Sequence, residues 1–243
     1  MAGSVALNLS SYTDVGRDRA TISCTAWNWV YPSDDNTTTE TGDDANGSKT
    51  TISYSNTVWS WSFSDGGRSS SKEPTHIFTG LTAGKANTCR GTLSARCTRT
   101  VTRTSWSTDS EGKKTTTGPS SSSTSYNLGS ASDSVTVYTK PAAFYWGAGV
   151  AQGSTIQASN ALTAASWNTL VTRVEERANW INQKSGASYS SAKVDPGDLV
   201  TAAVYNVLAR ALGVSTVIAH TKNTTGTLIT ASVFIALQTA VNS

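Results

Sequence analysis

The sequence predicts a β-rich protein in two parts, with an antiparallel β-sandwich over residues 1–140 and a small three-helix module over residues 162–243. Three observations lead to this prediction. Before residue 140, apolar and polar residues alternate with a period of two, which is typical of strands with one buried face. After residue 162, the apolar residues follow the helical period of about 3.6. Between these patterns, residues 141–161 are rich in glycine and aromatic residues, which indicates a linker.

The composition narrows the class of protein. Of 243 residues, 37% are hydrophobic and 14% are charged, whereas about 25% are charged in ordinary domains. Serine and threonine fill the difference, which favours an extracellular or virion protein over a metabolic enzyme. The net charge of +3 is spread evenly, so no nucleic-acid-binding surface is expected. We expect neither a membrane span nor a signal peptide, because the necessary apolar runs are missing.

The strands are predicted from clusters of β-branched and aromatic residues. The clearest clusters are Arg19–Tyr31, Thr50–Phe63 and Ser132–Tyr138. The turn-rich stretches Pro32–Lys49 and Asp109–Ser125 are predicted to be long exposed hairpin tips or strand connections. About seven strands in this part of the chain fit a β-sandwich better than a barrel.

One motif points to a type of sandwich. The turn from Leu81 to Gly84 resembles the Leu-x-x-Gly turn of fibronectin type III and other immunoglobulin-like domains, although Asn87 stands near the position of the usual tyrosine. The resemblance implies an immunoglobulin-like sandwich. Cys24 and Cys89 then either form a disulfide across the sandwich or remain reduced core residues, and the odd total of three cysteines favours reduced thiols.

Three helices are predicted, and they begin with one repeated pattern. The predicted helices are Thr163–Ser185, which ends before Gly186, Thr201–Leu212, which Gly213 ends, and Thr230–Val241. In each, a threonine caps the helix, an aromatic residue follows four positions later and a leucine seven positions later, which places both on one core-facing stripe. The first helix presents its apolar stripe through Trp167, Leu170, Val171, Val174, Ala178 and Ile181.

The repeated pattern carries a second resemblance. The segments Leu162–Leu170 and Pro196–Asn206, after the aromatic residues Phe144, Tyr145 and Trp146, look like the carboxy-terminal module of structural proteins in bacteriophages of Gram-positive gut bacteria. This resemblance implies a virion component, either a tail fibre or tail accessory protein or a capsid decoration. It also implies contacts with other virion proteins, homo-oligomers and assembly in the host cytoplasm.

Residue chemistry does not predict an enzyme. His76 and His220 have no Cys, Asp or Glu at a spacing that suits a metal. The acidic residues between 34 and 47 fail the EF-hand pattern, because Gly42 and Ser53 fall where ligating carboxylates are required. We therefore predict no catalytic, cofactor or metal residues.

The candidate functional residues are interface residues. The aromatic linker and one flank of the first helix supply the interface candidates Phe144, Tyr145, Trp146, Arg173, Glu176 and Arg177. Two pairs of tryptophans each point to one face of a strand, either into the core or outward as a platform for glycan or a neighbouring subunit: Trp27 with Trp29, and Trp59 with Trp61. Four arginines serve either as exposed strand charges or as contacts to an acidic subunit: Arg90, Arg96, Arg99 and Arg103. The alternative function is a glycan- or receptor-binding adhesion module.

Overall fold

The structure is a computed structural model that describes residues 4–30, 37–146, 163–216 and 231–243. It confirms a mostly antiparallel β protein with a small helical part near its C-terminal end. The strands are β1 (Ser4–Thr13), β2 (Arg19–Val30), β3 (Thr38–Gly42), β4 (Gly47–Phe63), β5 (Arg68–Ser69), β6 (Thr75–Thr79), β7 (Ala86–Thr108) and β8 (Lys114–Tyr138). The helices are α1 (Ala164–Asn182), α2 (Ala202–Leu212) and α3 (Ala231–Asn242), with a 3₁₀ turn at Ser190–Ala192.

The chain forms two compact units. The first consists of Met1–Thr13, Thr21–Phe78 and Thr88–Val135. The second consists of Asp14–Ala20, Thr79–Asn87 and Thr136–Ser243. The second unit therefore combines the helices with three short segments that come from the strand-rich part of the sequence.

The first unit is β-sandwich-like. One sheet has the strand order β1-β2-β6, and the other has the order β3-β4-β7-β8 with β5 paired to β4. The two sheets approach closely where Leu9 of β1 meets Gly91 of β7, since a Cβ atom on that glycine would lie 3.2 Å from the leucine Cδ1. Around this contact, the side chains of Ile22, Trp61, Phe78 and Leu93, among others, are buried.

A one-residue bulge divides β4 into two parts. The register between β4 and β7 shifts between Ser55 and Val58, and Asn56 has a φ of 54° there. A bulge of one residue moves alternate side chains to the opposite face of a strand. The core-facing series on β4 therefore runs through Trp59 after the bulge and through Tyr54 before it.

On the side of the bulge that contains residues 47–55 of β4, the second sheet continues as an extension that we call the arm. The arm consists of β3, residues 47–55 of β4, residues 98–108 of β7 and residues 114–125 of β8. Apart from the buried Tyr54 at its base, its side chains are exposed or half-exposed on both faces. Hydroxyl pairs link its strands, with oxygen–oxygen distances of 2.9 Å for Thr100–Ser123 and for Thr102–Ser121.

The arm changes part of the sequence-based prediction. The described parts of the stretches expected as hairpin tips or connections are mostly exposed, but β3 begins within the first of them at Thr38 and β8 begins within the second at Lys114. Residues 31–36 lie outside the described residues. The serine-rich composition of these stretches suggested turns. Their threonines, however, favour strands, and their hydroxyl groups can pair with hydroxyl groups on the neighbouring strand. Pairing of β4 and β8 with β7, and of β3 with β4, decided this outcome.

The three cysteines are free thiols and are buried. The structure thus has the reduced state that the odd cysteine count favoured. Burial raises the pKa of Cys24 from 9.0 to about 11. Burial, together with the negative charge of Asp65, also raises the pKa of Cys89 to about 11.

We predict that the protein loses stability in alkaline solution because of these thiols. Above pH 9.0 the unfolded thiols release protons, whereas the folded thiols keep theirs until about pH 11. The free energy of unfolding should therefore fall between these pH values and be unaffected by the thiols below them. Urea unfolding at a series of pH values measures this slope. The double variant Cys24→Ala/Cys89→Ala should have a shallower slope, and an unchanged slope would contradict the prediction.

The helix starts of the second unit follow the sequence prediction. The Thr163 hydroxyl accepts a hydrogen bond from the Ser166 N–H at 3.1 Å, and the Thr201 hydroxyl accepts one from the Val204 N–H at 3.3 Å. Thr230, the predicted cap of the third helix, lies outside the described residues. The helix α2 ends as predicted, with Gly213 in the left-handed conformation.

The predicted end of α1 was wrong. The helix ends at Asn182, and Gln183 rather than Gly186 follows it in the left-handed conformation, with a φ of 47°. The reason is a tertiary contact. The Gln183 side-chain amide accepts from the Tyr138 N–H at 2.9 Å and donates to the Tyr138 carbonyl at 2.8 Å. This pair of bonds stabilises a conformation that is uncommon for a residue with a side chain.

The repeated aromatic and leucine positions form the core of the second unit, as predicted. The aromatic members are Trp167, Tyr205 and Phe234, and the leucines are Leu170, Leu208 and Leu237, all of them buried. The ring centroid of Phe234 lies 6.2 Å from those of both Trp167 and Tyr205. Ile181, which was expected on the same stripe, is instead 54% exposed near the end of α1.

The backbone between Tyr138 and Trp146 is held by side-chain amides. Asn242 accepts from the Phe144 N–H at 2.7 Å and donates to the Phe144 carbonyl at 2.9 Å. Gln238 accepts from the Trp146 N–H at 3.3 Å. Residues 141–146, which the sequence assigned to a linker, are thus bound along the helices, while residues 147–161 lie outside the described residues.

We predict that Asn242→Ala lowers the free energy of unfolding by about 1–3 kcal/mol, because it leaves both backbone groups of Phe144 without their partner. Urea unfolding of the full chain measures the loss. The matched control is Asn182→Ala, because among the described residues the Asn182 amide bonds to the Ala178 carbonyl of its own helix alone. The control should change stability by less than about 0.5 kcal/mol, and equal losses would refute a special role for Asn242.

Candidate functional site

The aromatic interface candidates are used within the chain. Phe144 is 3% exposed and Trp146 is 5% exposed, and both belong to the helical core. The Trp146 indole donates to the Phe234 carbonyl at 3.1 Å. These two side chains therefore cannot anchor a partner while the helical core is intact, and only Tyr145, which is 45% exposed, remains as a candidate.

Glu176 is also committed within the second unit. Its carboxylate is buried and accepts a hydrogen bond from the Lys85 ammonium at 2.9 Å and another from the Arg173 guanidinium. A Cβ atom on Gly84 would collide with this carboxylate. The glycine of the Leu-x-x-Gly turn therefore makes room for an ion pair, and Glu176 is not free to contact another subunit.

Arg177 contacts Ser243, whose hydroxyl accepts from its guanidinium at 3.3 Å. Among the described residues, its Nε is buried and has no hydrogen-bond partner. Glu175, on the same helix, accepts from the Tyr189 N–H at 2.8 Å. The charged flank of α1 thus holds segments of its own unit, and the contact of Arg173 and Arg177 with another subunit stays a prediction.

The structure places one tryptophan pair in the core. Trp59 and Trp61 are buried, and the Trp61 indole donates to the Ser71 carbonyl at 3.0 Å. This pair is therefore not an exposed platform, and the core alternative that the sequence left open is correct for it. The side chains of Trp27 and Trp29 lie outside what the structure describes.

His76 and Asp43, which lies in the acidic turn between β3 and β4, both make contacts that stabilise the fold. His76 stacks on Phe63 with ring centroids 3.8 Å apart, and its Nε2 lies 3.0 Å from both carboxylate oxygens of Asp65. The Asp43 carboxylate accepts from the N–H groups of Ala45 and Asn46, which closes the turn between β3 and β4. His220 and the acidic residues 34–35 lie outside the described residues. Elsewhere in the described chain no cluster of three His, Cys, Asp or Glu residues could hold a metal.

The arginines of β7 lie in different surroundings. Arg90 and Arg96 are exposed, and the Arg90 guanidinium donates to the Ser132 hydroxyl at 3.1 Å. Arg99 donates to the Tyr54 hydroxyl at 3.2 Å, at the base of the arm. Arg103 is exposed farther out on the arm and borders a concave surface.

That concave surface, which we call the arm groove, has a volume of about 530 Å³. Its lining is Ser48, Thr50, Arg103, Thr104, Ser105, Thr117, Gly118 and Ser120. Gly118, with a φ of 104°, lets β8 pass close to β7, because a Cβ atom there would lie 2.7 Å from the Arg103 carbonyl. The described residues that line the groove therefore combine hydroxyl groups with one guanidinium and include no acidic residue. The sequence did not predict the groove, because its residues come from three separate strands.

The outer edge of β8 is the second surface that the sequence analysis missed. In the described sheet β8 is the last strand, paired on one side to β7. Residues 114–125 are exposed, and residues 115–132 contain no charged residue. We call residues 120–127 the β8 edge. The uncharged Ser/Thr run was visible in the sequence, but its position at a sheet edge was not.

No described helix has the length and apolar composition needed to cross a membrane. Comparison with models of protein families, with curated proteins and with solved structures found no match to this chain. The arm, the arm groove and the β8 edge are therefore interpreted from their own chemistry.

Proposed function

We propose that the protein is a non-enzymatic structural component of a bacteriophage virion, either a tail fibre or tail accessory protein or a capsid decoration, that docks to neighbouring subunits. The arm is the observation that carries this proposal. A β-sheet extension of this length exposes backbone and side chains on both faces and has little buried apolar surface of its own. Such extensions gain stability when another subunit covers or extends them.

We further propose that the strand-rich part of the chain, residues 1–140, is an immunoglobulin-like sandwich of the fibronectin type III kind. In support, the strands β1, β2 and β6 share one sheet, while β4, β7 and β8 share the other. Asn87 performs a task comparable to that of the missing tyrosine. Its side chain accepts from the Thr82 N–H at 2.8 Å and donates to the Thr82 carbonyl at 3.0 Å.

The chemistry of the thiols supports assembly in the cytoplasm of the host. Buried, reduced cysteines are typical of proteins that fold in a reducing compartment. Neighbouring virion proteins and further copies of this chain are the proposed partners, because virion proteins occupy symmetric positions.

The test of the virion proposal is cryo-electron microscopy of purified phage particles, with antibody labelling of this chain. We expect density for the sandwich-like unit at repeated positions on the capsid or on the tail. Particles stripped of contaminating host protein by a density gradient are the required sample. Absence of the chain from such particles would refute the proposal, whereas the position of the label separates a decoration from a tail protein.

The second candidate function is adhesion to a host surface glycan, and the arm groove favours it. Serine and threonine hydroxyls both donate to and accept from sugar hydroxyls. The Arg103 guanidinium suits a carboxylate or phosphate on the saccharide. This candidate places the binding surface on the arm rather than on the buried tryptophans Trp59 and Trp61.

If the arm groove binds an acidic saccharide, Arg103→Gln should weaken binding roughly tenfold through loss of a charge-assisted hydrogen bond. Titration calorimetry with an acidic cell-wall polysaccharide of the host measures the affinity. Arg96→Gln is the matched control, because Arg96 is exposed on the same strand and does not line the groove. Equal affinity of all three proteins, or no binding by any, would exclude the groove as the glycan site.

A further inference from the structure

We infer that the β8 edge pairs with the β8 edge of a second copy of this chain, in antiparallel orientation about a two-fold axis. The inference rests on the proposed function, and it names the partner and the surface of one contact. An edge strand presents a row of backbone N–H and C=O groups that can form a ladder with another strand. In the described sheet only β7 pairs with β8.

The β8 edge lacks the features that normally prevent edge pairing. Natural edge strands are protected by charged side chains, by proline or by short length. Residues 115–132 carry no charge, and Pro119 lies just before the β8 edge rather than within it. The opposite edge of the arm, β3, is short and carries Glu40, which forms an ion pair with Lys49 at 3.0 Å. The two edges of the arm therefore differ, and β8 is the one suited to pairing.

The chemistry of the edge favours a second copy as its partner. An uncharged edge meets its own copy without repulsion between like charges. Hydroxyl side chains pair with identical side chains because each both donates and accepts, as Thr100 and Ser123 do within the arm. Lys113 and Lys114 lie outside the β8 edge, so a centred antiparallel pair does not place them opposite each other.

The geometry also limits the register. At every second residue of β8 the backbone N–H and C=O groups point away from β7, and at the residues between they point toward it. In an antiparallel ladder, two residues that lie opposite each other must both point their backbone groups toward the partner strand or both point them away from it. When the two strands are identical, two opposed residues must therefore be separated by an even number of positions in the sequence. The two-fold axis then passes through a residue and not between two residues. The residues nearest the centre of the β8 edge are Ser123 and Thr124. Ser122 and Thr124 project from one face. With the axis through Ser123, Ser122 of one copy lies opposite Thr124 of the other, and with the axis through Thr124 that residue lies opposite its own counterpart.

The test is analytical ultracentrifugation of the full chain over a wide range of concentration. We expect a monomer–dimer equilibrium for the wild type. The variant Ser122→Lys/Thr124→Lys places like charges opposite each other across the axis and should weaken dimerisation roughly tenfold or more. The matched control is Ser60→Lys/Ser62→Lys, which adds the same charge at exposed positions of β4, a strand paired on both sides. The control should dimerise like the wild type.

A second measurement needs no variant. Amide hydrogen exchange should become slower in residues 120–127 as the concentration rises, because the N–H groups that point outward become hydrogen-bonded in the dimer. A wild type that remains monomeric at every concentration would overturn the inference. So would a dimer that the edge variant leaves intact, or association that continues beyond the dimer.

These results are independent of the virion test. A monomeric chain that is nevertheless found on particles would refute edge pairing and leave the virion proposal standing. A chain that dimerises through the β8 edge but is absent from particles would support edge pairing and refute the virion proposal. Circular dichroism of each variant checks that the lysine substitutions leave the fold intact.

Discussion

The organisation of the second unit depends on how the extended backbone from Tyr138 to Trp146 satisfies its polar groups. Thr139 and Lys140 donate to the backbone carbonyls of Lys85 and Gly16. Within the described part of the chain, the rest of the segment has no such partner, and each of its buried N–H or C=O groups would be costly if left unpaired. The side-chain amides of Gln183, Gln238 and Asn242 replace the missing strand. Amides suit this task because one side chain can both donate and accept.

This arrangement also explains the aromatic centre. Once the amides hold the segment, Phe144 and Trp146 lie against the repeated aromatic residues of the helices. Trp146 packs parallel to Trp167, with centroids 6.3 Å apart, and edge-on to Phe234 at 5.6 Å. Aromatic contacts of this geometry stabilise a core beyond the area they bury. The same residues in an exposed linker would have been obvious interface anchors, so their role depends on the backbone contacts.

In the first unit, one part is stabilised by a buried core and the other by pairing between strands. Around Trp61 and Leu93 the sheets enclose a core, and on β4 the buried series ends at Tyr54, next to the bulge at Asn56. Past the bulge, the arm is held together by backbone pairing and cross-strand hydroxyls. We propose that this sheet, which buries little apolar surface of its own, serves as a surface for other molecules through its groove or its edge.

Local sequence determined much of this protein by itself. Alternation predicted the β-rich part, and the threonine caps with the aromatic–leucine spacing predicted the helix starts and their buried faces, because these signals act within a few residues. The extent of the strands in the arm was not predictable, because serine-rich segments become strands only when β7 offers a partner.

The candidate sites were less predictable than the fold. Whether Trp146 or Glu176 is exposed depends on residues far away in the sequence: Gln238 and Phe234 for the tryptophan, and Lys85 and Gly84 for the glutamate. Only the tertiary structure decided that these residues are internal and that the arm is the exposed surface. The physical reason is that burial and pairing are properties of contacts between distant segments, whereas the periodic pattern reports only which residues are able to make them.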